Sequence, residues 1–208
     1  FYYSATAEYL ASKGFVVIGL PSIGAGENEP CGYDLACVDL QQKDMEFAIR
    51  KISSLPFVDS KEVGLIAWSF SGLAVSLIAM KNNAVKAVVS LDAATGYEYG
   101  KKLIEGAEGF KTFRHSPPLL HFYGLSGNSR VAKSFDFFNS YPTDEKQLHA
   151  MKELQHSDFI SLYGNWVRYA KGENEQKVLN DLTEVKTTTL AFLNKYLRNA
   201  KTDRIELP

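Results

Sequence analysis

Apolar residues along the chain gather into short unbroken runs, separated by longer stretches in which they recur every three to four positions. Phe15-Val16-Val17-Ile18-Gly19-Leu20, Val63-Gly64-Leu65-Ile66-Ala67-Trp68, Val85-Lys86-Ala87-Val88-Val89-Ser90-Leu91 and Leu119-Leu120-His121-Phe122-Tyr123 are such runs. They are rich in β-branched and aromatic residues and stop at Pro, Gly, Ser or Asp, which predicts buried strands. Gln147 to Leu154 is a further strand candidate. Between the runs, helices are predicted over Ala7 to Lys13, where Gly14 stops the helix, and over Val38 to Ser54, where Val38, Met45, Ile49 and Ile52 sit near helical spacing. Three more are expected at Phe70 to Lys81, near Val131 to Phe138, and at Glu184 to Leu197. Strands alternating with helices are the signature of βαβ crossovers, so the class is α/β, a mostly parallel sheet covered by helices on both faces. No internal repeat or linker divides residues 1–208, so one domain is expected. Its Gly-rich, aromatic segment at about 93–118 is short and lid-like, leaving an open cleft.

Composition narrows the function. The chain has 208 residues, 45% hydrophobic and 23% charged, which excludes disordered and fibrous classes. Its formal net charge is −1 and its lysines are scattered, so no basic field exists to hold nucleic acid or an anionic membrane. No apolar run approaches the ~20 residues that span a bilayer. The chain starts at Phe1 rather than Met, which is compatible with a removed signal peptide. Cys31 and Cys37 lie six apart beside Pro30 and Gly32. They either close a small loop disulfide, implying an extracytoplasmic protein, or remain free thiols, implying a cytoplasmic one. No His/Cys cluster has metal-ligand spacing, so no metal is expected.

The chemistry concentrates at Trp68-Ser69-Phe70, where a predicted strand meets a predicted helix with almost no loop between them. That is the geometry of a nucleophile elbow: a serine on so sharp a turn adopts strained dihedrals, and residues two before and two after it must be small. Ala67 and Ser71 meet that demand, and Gly72 follows at once. The alternative register makes Ser71 the nucleophile but puts the bulky Leu73 two residues on, so Ser69 is preferred. The same serine in a plain fold would merely cap the helix. The N–H of Phe70, at the helix N-terminus, is aimed where an oxyanion would form.

A serine nucleophile needs a base brought close by the fold. His121 lies inside a predicted strand and reads as a core histidine. His149 is also within a strand, and His115 precedes Pro117-Pro118. His156 instead follows the last strand candidate, on a loop at the end of the sheet where α/β proteins place their ligands. For the orienting acid, Val85 to Leu91 runs straight into Asp92, at a strand end beside the elbow. Asp158 competes, but it lies only two residues from His156.

These residues resemble the α/β-hydrolase superfamily, and within it the branch of dienelactone-hydrolase-like esterases and platelet-activating-factor acetylhydrolases. The likeness rests on Tyr9-Leu10-Ala11-Ser12-Lys13-Gly14-Phe15-Val16-Val17, the elbow Ala67 to Gly72, Ser90-Leu91-Asp92-Ala93, and His156-Ser157-Asp158-Phe159. The resemblance implies a Ser69, His156, Asp92 triad, with the acid in a similar Leu-Asp-Ala context. It also implies a member lacking its first strands, which leaves the second oxyanion donor unassigned. Dienelactone hydrolases proper carry Cys at the elbow, so Ser69 points away from dienelactone chemistry. The expected activity is hydrolysis of a small-molecule carboxylic ester through an acyl-enzyme, without a cofactor. Trp68, Tyr97, Tyr99 and Phe110 are candidates for lining the pocket, with core packing as the alternative. A peptidase or thioesterase on the same fold, and a degenerate hydrolase fold kept for binding, are the rival readings. Oligomeric state is not legible.

Overall fold

The computed structural model describes residues 4–21, 31–110, 115–126, 132–160 and 175–198. Among the described residues four strands form one parallel sheet in the order β1-β2-β3-β4: β1 Val63–Trp68, β2 Val85–Leu91, β3 Leu119–Gly124 and β4 Lys146–Met151. The α/β architecture expected from the sequence is therefore present, and β1 and β2 begin and end where the apolar runs do. The pairing of β1 with β2 shifts register between Val63 and Gly64, so that Val63 lies opposite Val85 and Gly64 opposite Ala87.

One face of the sheet packs against α2 (Leu35–Ile52), α3 (Gly72–Ala79) and α4 (Glu98–Gly106), around Leu73, Leu77, Val88 and Leu119. The other face packs against α1 (Ser4–Ser12) and α6 (Glu175–Leu197), around Val89, Leu91, Phe122 and Leu193. Every residue of α3 is buried, so this helix has no polar face and reads as a continuous apolar run rather than an amphipathic pattern. The start of α2 is fixed by Asp34, whose carboxylate accepts from the N–H of Cys37 at 2.9 Å. α5 (Asp136–Ser140) is shorter than the predicted Val131–Phe138 helix, and Val131 lies outside the described residues. α6 starts nine residues before the predicted Glu184, because its first two turns carry few apolar positions.

The expectation of a buried strand at Phe15–Leu20 is overturned. This stretch belongs to no strand of the sheet, and Val16 is 50% exposed and Ile18 48%. An apolar run reports the capacity to be buried, while a strand also needs a neighbour to complete its hydrogen-bond ladder. Among the described residues, Phe15–Leu20 has none. A groove of about 520 Å³ runs between it and α2, lined in part by Ile18, Leu20, Phe47 and Leu55. The segment expected as lid-like contains α4, whose Gly100 and Ile104 are buried.

Candidate active site

Trp68 closes β1, and Ser69 opens a single 3-10 turn, Ser69–Ser71, that runs directly into α3. So abrupt a reversal forces Ser69 to φ +57°. The only other non-glycine residue with positive φ among those described is Asp92, at +44°, immediately after the last residue of β2. Left-handed backbone at an L-residue costs on the order of 1–3 kcal/mol and persists only where the surroundings enforce it. Close packing behind the turn is provided by Gly72: a Cβ there would lie 2.4 Å from the Cβ of Ala93. Ser71, the alternative nucleophile, turns its Oγ back to the Trp68 carbonyl at 2.7 Å.

The structure brings Ser69, His156 and Asp92 together. His156 starts a short 3-10 turn after β4, held by a capping box in which the Asp158 carboxylate accepts from the N–H of Gln155 at 2.8 Å. Asp158 is thereby committed to the turn. The Nε2 of His156 lies 2.9 Å from Ser69 Oγ, and its Nδ1 lies 2.7 Å from Asp92 Oδ2. A carboxylate only accepts, so Nδ1 carries the proton and Nε2 offers its lone pair to the serine hydroxyl. Asp92 is 2% exposed. Its own N–H donates to the Phe122 carbonyl, and its Oδ1 accepts from Gly124 N–H at 3.3 Å, so β3 fixes the acid at both ends. Burial pushes this carboxyl up. The hydrogen bonds from His156 and Tyr97 and the charges of His156 and Lys133 outweigh that, and its pKa lies below the ordinary carboxylate value.

Trp68 touches His156 twice. Its Nε1–H donates to the His156 carbonyl at 2.8 Å, and its indole stacks on the imidazole with ring centroids 4.8 Å apart. Tyr97, expected to line a pocket, is buried, and its hydroxyl donates to Asp92 Oδ2 at 2.8 Å. Tyr99 sits beside it, with ring centroids 6.0 Å apart, and Phe110 packs against the core on the α2 and α3 side. Phe70 is buried, and its N–H belongs to the first residues of the turn, whose donors have no partner within the turn.

The other histidines are engaged elsewhere. His121 is buried with Nδ1 2.6 Å from Ser90 Oγ, and burial lowers its pKa to about 4 despite the nearby charge of Asp92. His115 Nε2 meets the Val85 carbonyl, and His149 lies 4.0 Å from Glu184. Of the two states that the sequence leaves open for the cysteines, the structure shows the disulfide, and Tyr33 and Lys133 are further neighbours of the site. Tyr33, within the loop that Cys31 and Cys37 close, packs edge-on against Phe70 with ring centroids 5.3 Å apart. Lys133 donates to the Gly124 carbonyl and adds positive charge near Asp92. A tyrosine enclosed by two cysteines is a visible signal for a fixed aromatic, whereas nothing in the sequence marks Lys133. Among the described residues no group of three or more His, Cys, Asp or Glu is placed to hold a metal ion, and no helix is long and apolar enough to cross a membrane.

Residues 1–98 match the FrsA-like family, described as esterase FrsA-like. Esterase FrsA of Vibrio cholerae is 33% identical over 89 residues, covering 41% of this chain and 20% of that protein. The uncharacterized protein PA2218 of Pseudomonas aeruginosa is 23% identical over 189 residues, 90% of this chain and 48% of its own length. The chain thus spans half or less of the curated relatives it matches. Among solved structures, DcsB in complex with its substrate analogue superposes with a TM-score of 0.62 at 17% identity, covering 93% of this chain and 84% of DcsB. Dipeptidyl peptidase 4 of Porphyromonas gingivalis does so at 0.50 and 17% identity, over 77% of this chain and 23% of the peptidase. With its parallel sheet and the serine at the strand-to-helix turn, the chain has the α/β-hydrolase fold.

Proposed function

We propose that this protein is a serine hydrolase that cleaves a carboxylic ester of a small molecule, with Ser69 as nucleophile, His156 as base and Asp92 as orienting acid. The observation that carries the reading is the unbroken relay from Ser69 Oγ through both imidazole nitrogens to a buried carboxylate, at 2.9 and 2.7 Å. In the forward step Ser69 Oγ attacks the ester carbonyl carbon while its proton passes to His156 Nε2. Asp92 stabilises the imidazolium, and the N–H of Phe70 donates to the oxyanion. Collapse expels the alcohol, which takes the proton from Nε2, and a water activated by the same nitrogen then releases the acid. No step needs a cofactor. The match of residues 1–98 to an esterase family favours an ester over an amide, and the resemblance of four stretches to the dienelactone-hydrolase-like and acetylhydrolase branch supports the same class of substrate.

Labelling with a fluorophosphonate tests the reading without knowledge of the substrate. Covalent modification at Ser69, together with turnover of p-nitrophenyl acetate, is the expected result. No labelling of the folded protein would leave a hydrolase fold used for binding, and turnover of amide or thioester substrates in preference to esters would reassign the reaction.

A further inference from the structure

Two donors converge on one atom of the site. Asp92 Oδ2 accepts from His156 Nδ1 at 2.7 Å and from the hydroxyl of Tyr97 at 2.8 Å, while the second carboxylate oxygen has Gly124 N–H at 3.3 Å. Tyr97 is held for this contact. Its N–H donates to the Ala94 carbonyl, its backbone bridges to Lys133, and the next N–H, of Glu98, reaches the Ala132 carbonyl. Its ring also stands edge-on to the imidazole, with centroids 6.5 Å apart.

We infer that Tyr97 is a positioning residue that sets the basicity of His156 by sharing the carboxylate oxygen on which the imidazolium depends. This rests on the Ser69, His156, Asp92 reading above. A hydrogen bond donated to Oδ2 withdraws negative charge from that atom, so less remains to stabilise a proton on His156. The imidazole then stays neutral, and able to accept from Ser69, down to lower pH. Tyr97 is suited to this because burial and the charge of Asp92 raise its pKa far above the ordinary phenol value. It remains a donor throughout the working range.

The remaining groups around the relay act in known directions. Lys133, across the backbone bridge, draws on the Asp92 charge with the same sign as Tyr97. Trp68, stacked on the imidazole, favours the cation and opposes it. His121 on β3 is neutral above about pH 4, burial raises the pKa of Tyr99 so that its hydroxyl is neutral, and Asp158 on the His156 turn holds the N–H of Gln155.

The test is Tyr97→Phe, which removes one oxygen and keeps the ring. Titrating the His156 imidazole by NMR in the folded protein should give a midpoint higher than wild type by roughly 0.5–1 unit. In parallel, kcat/KM for p-nitrophenyl acetate should fall by about 3–10-fold at pH 6 and converge on the wild-type value above pH 9. A residue that only supports the fold would lower the rate equally at every pH and leave the midpoint in place. An unchanged or lowered midpoint in folded Tyr97→Phe overturns the inference. Failure of the hydrolase reading would show separately, as a wild-type protein that neither labels with fluorophosphonate nor turns over ester while the midpoint shift persists.

Discussion

The C-terminal ends of β2 and β3 and the Phe15–Pro21 segment are written in much the same apolar residues, yet they meet opposite fates. Val89, Leu91 and Phe122 are buried to 2% exposure or less, whereas Val16, Ile18 and Leu20 are 40–50% exposed. The difference lies in neighbours. β2 has a strand on either side and a helical layer on each face, so its last residue can hand the chain to Asp92 in a strained conformation and hold it there. Phe15–Pro21 has a helix on one side and no ladder among the described residues. Apolar composition supplies the capacity for burial, and the hydrogen-bonded neighbour decides whether it is realised. Precise chemistry is built only where both are present.

The comparison is broken most severely by removing the atoms that the C-terminal ends of β1 and β2 position. Ser69→Ala should lower ester turnover by on the order of 10⁶ with the circular dichroism spectrum unchanged. Ser71→Ala should be mild, because its hydroxyl is turned to the Trp68 carbonyl; the reverse ranking in a rate assay would move the nucleophile. Asp92→Asn should cost ~10⁴, since an amide at Oδ2 stabilises the wrong imidazole tautomer. Asp158→Asn should cost far less, and steady-state rates of the pair decide between the two acids.

A smaller effect is expected in stability. His121 is neutral in the fold, with its pKa lowered from 6.5 to about 4, and it regains its ordinary proton affinity on unfolding. Between these values the unfolded chain binds more protons, so stability is complete above pH 6.5 and falls as pH drops toward 4. The full loss is about 3 kcal/mol by the linkage constant, measurable as urea midpoints across that window. His121→Leu should flatten the slope. Asp92 adds its own loss only at lower pH, because its pKa is depressed from 3.8. The finest probe compares the two regions directly: Val89→Ala should destabilise by about 2 kcal/mol, and Ile18→Ala by less than about 0.5 kcal/mol. Equal losses in chemical denaturation would mean that Phe15–Pro21 is covered in solution.

How much of this was legible follows from the physics of each signal. β1 and β2 carry dense β-branched runs with hard stops, and their bounds coincide with the prediction. The meeting of Ser69, Asp92 and His156 was inferred because each follows the end of a strand, and parallel strands bring such ends to one edge. α4 was missed because Gly100 sits in its first turn, where glycine normally argues against a helix; here the Ala94 carbonyl approaches too closely for any side chain. The partnership of Tyr97 with Asp92 was invisible, since a buried tyrosine looks like packing until its hydroxyl is located. Phe15–Leu20 misled in the opposite sense, as an apolar pattern does not report whether a neighbour pairs with it, and among the described residues none does.

The left-handed backbone at Ser69 has a consequence for what natural drift would do to this chain. Glycine at that position would relieve the torsional strain at the loss of the hydroxyl's exposed hydrogen bond to His156. Ser69→Gly is therefore one of the few changes in which losing function should bring a gain in stability, of roughly 1 kcal/mol. A lineage retained only to bind a partner would face a standing downhill path toward that glycine. A serine kept on such a slope is a cost that selection tolerates where the hydroxyl is used.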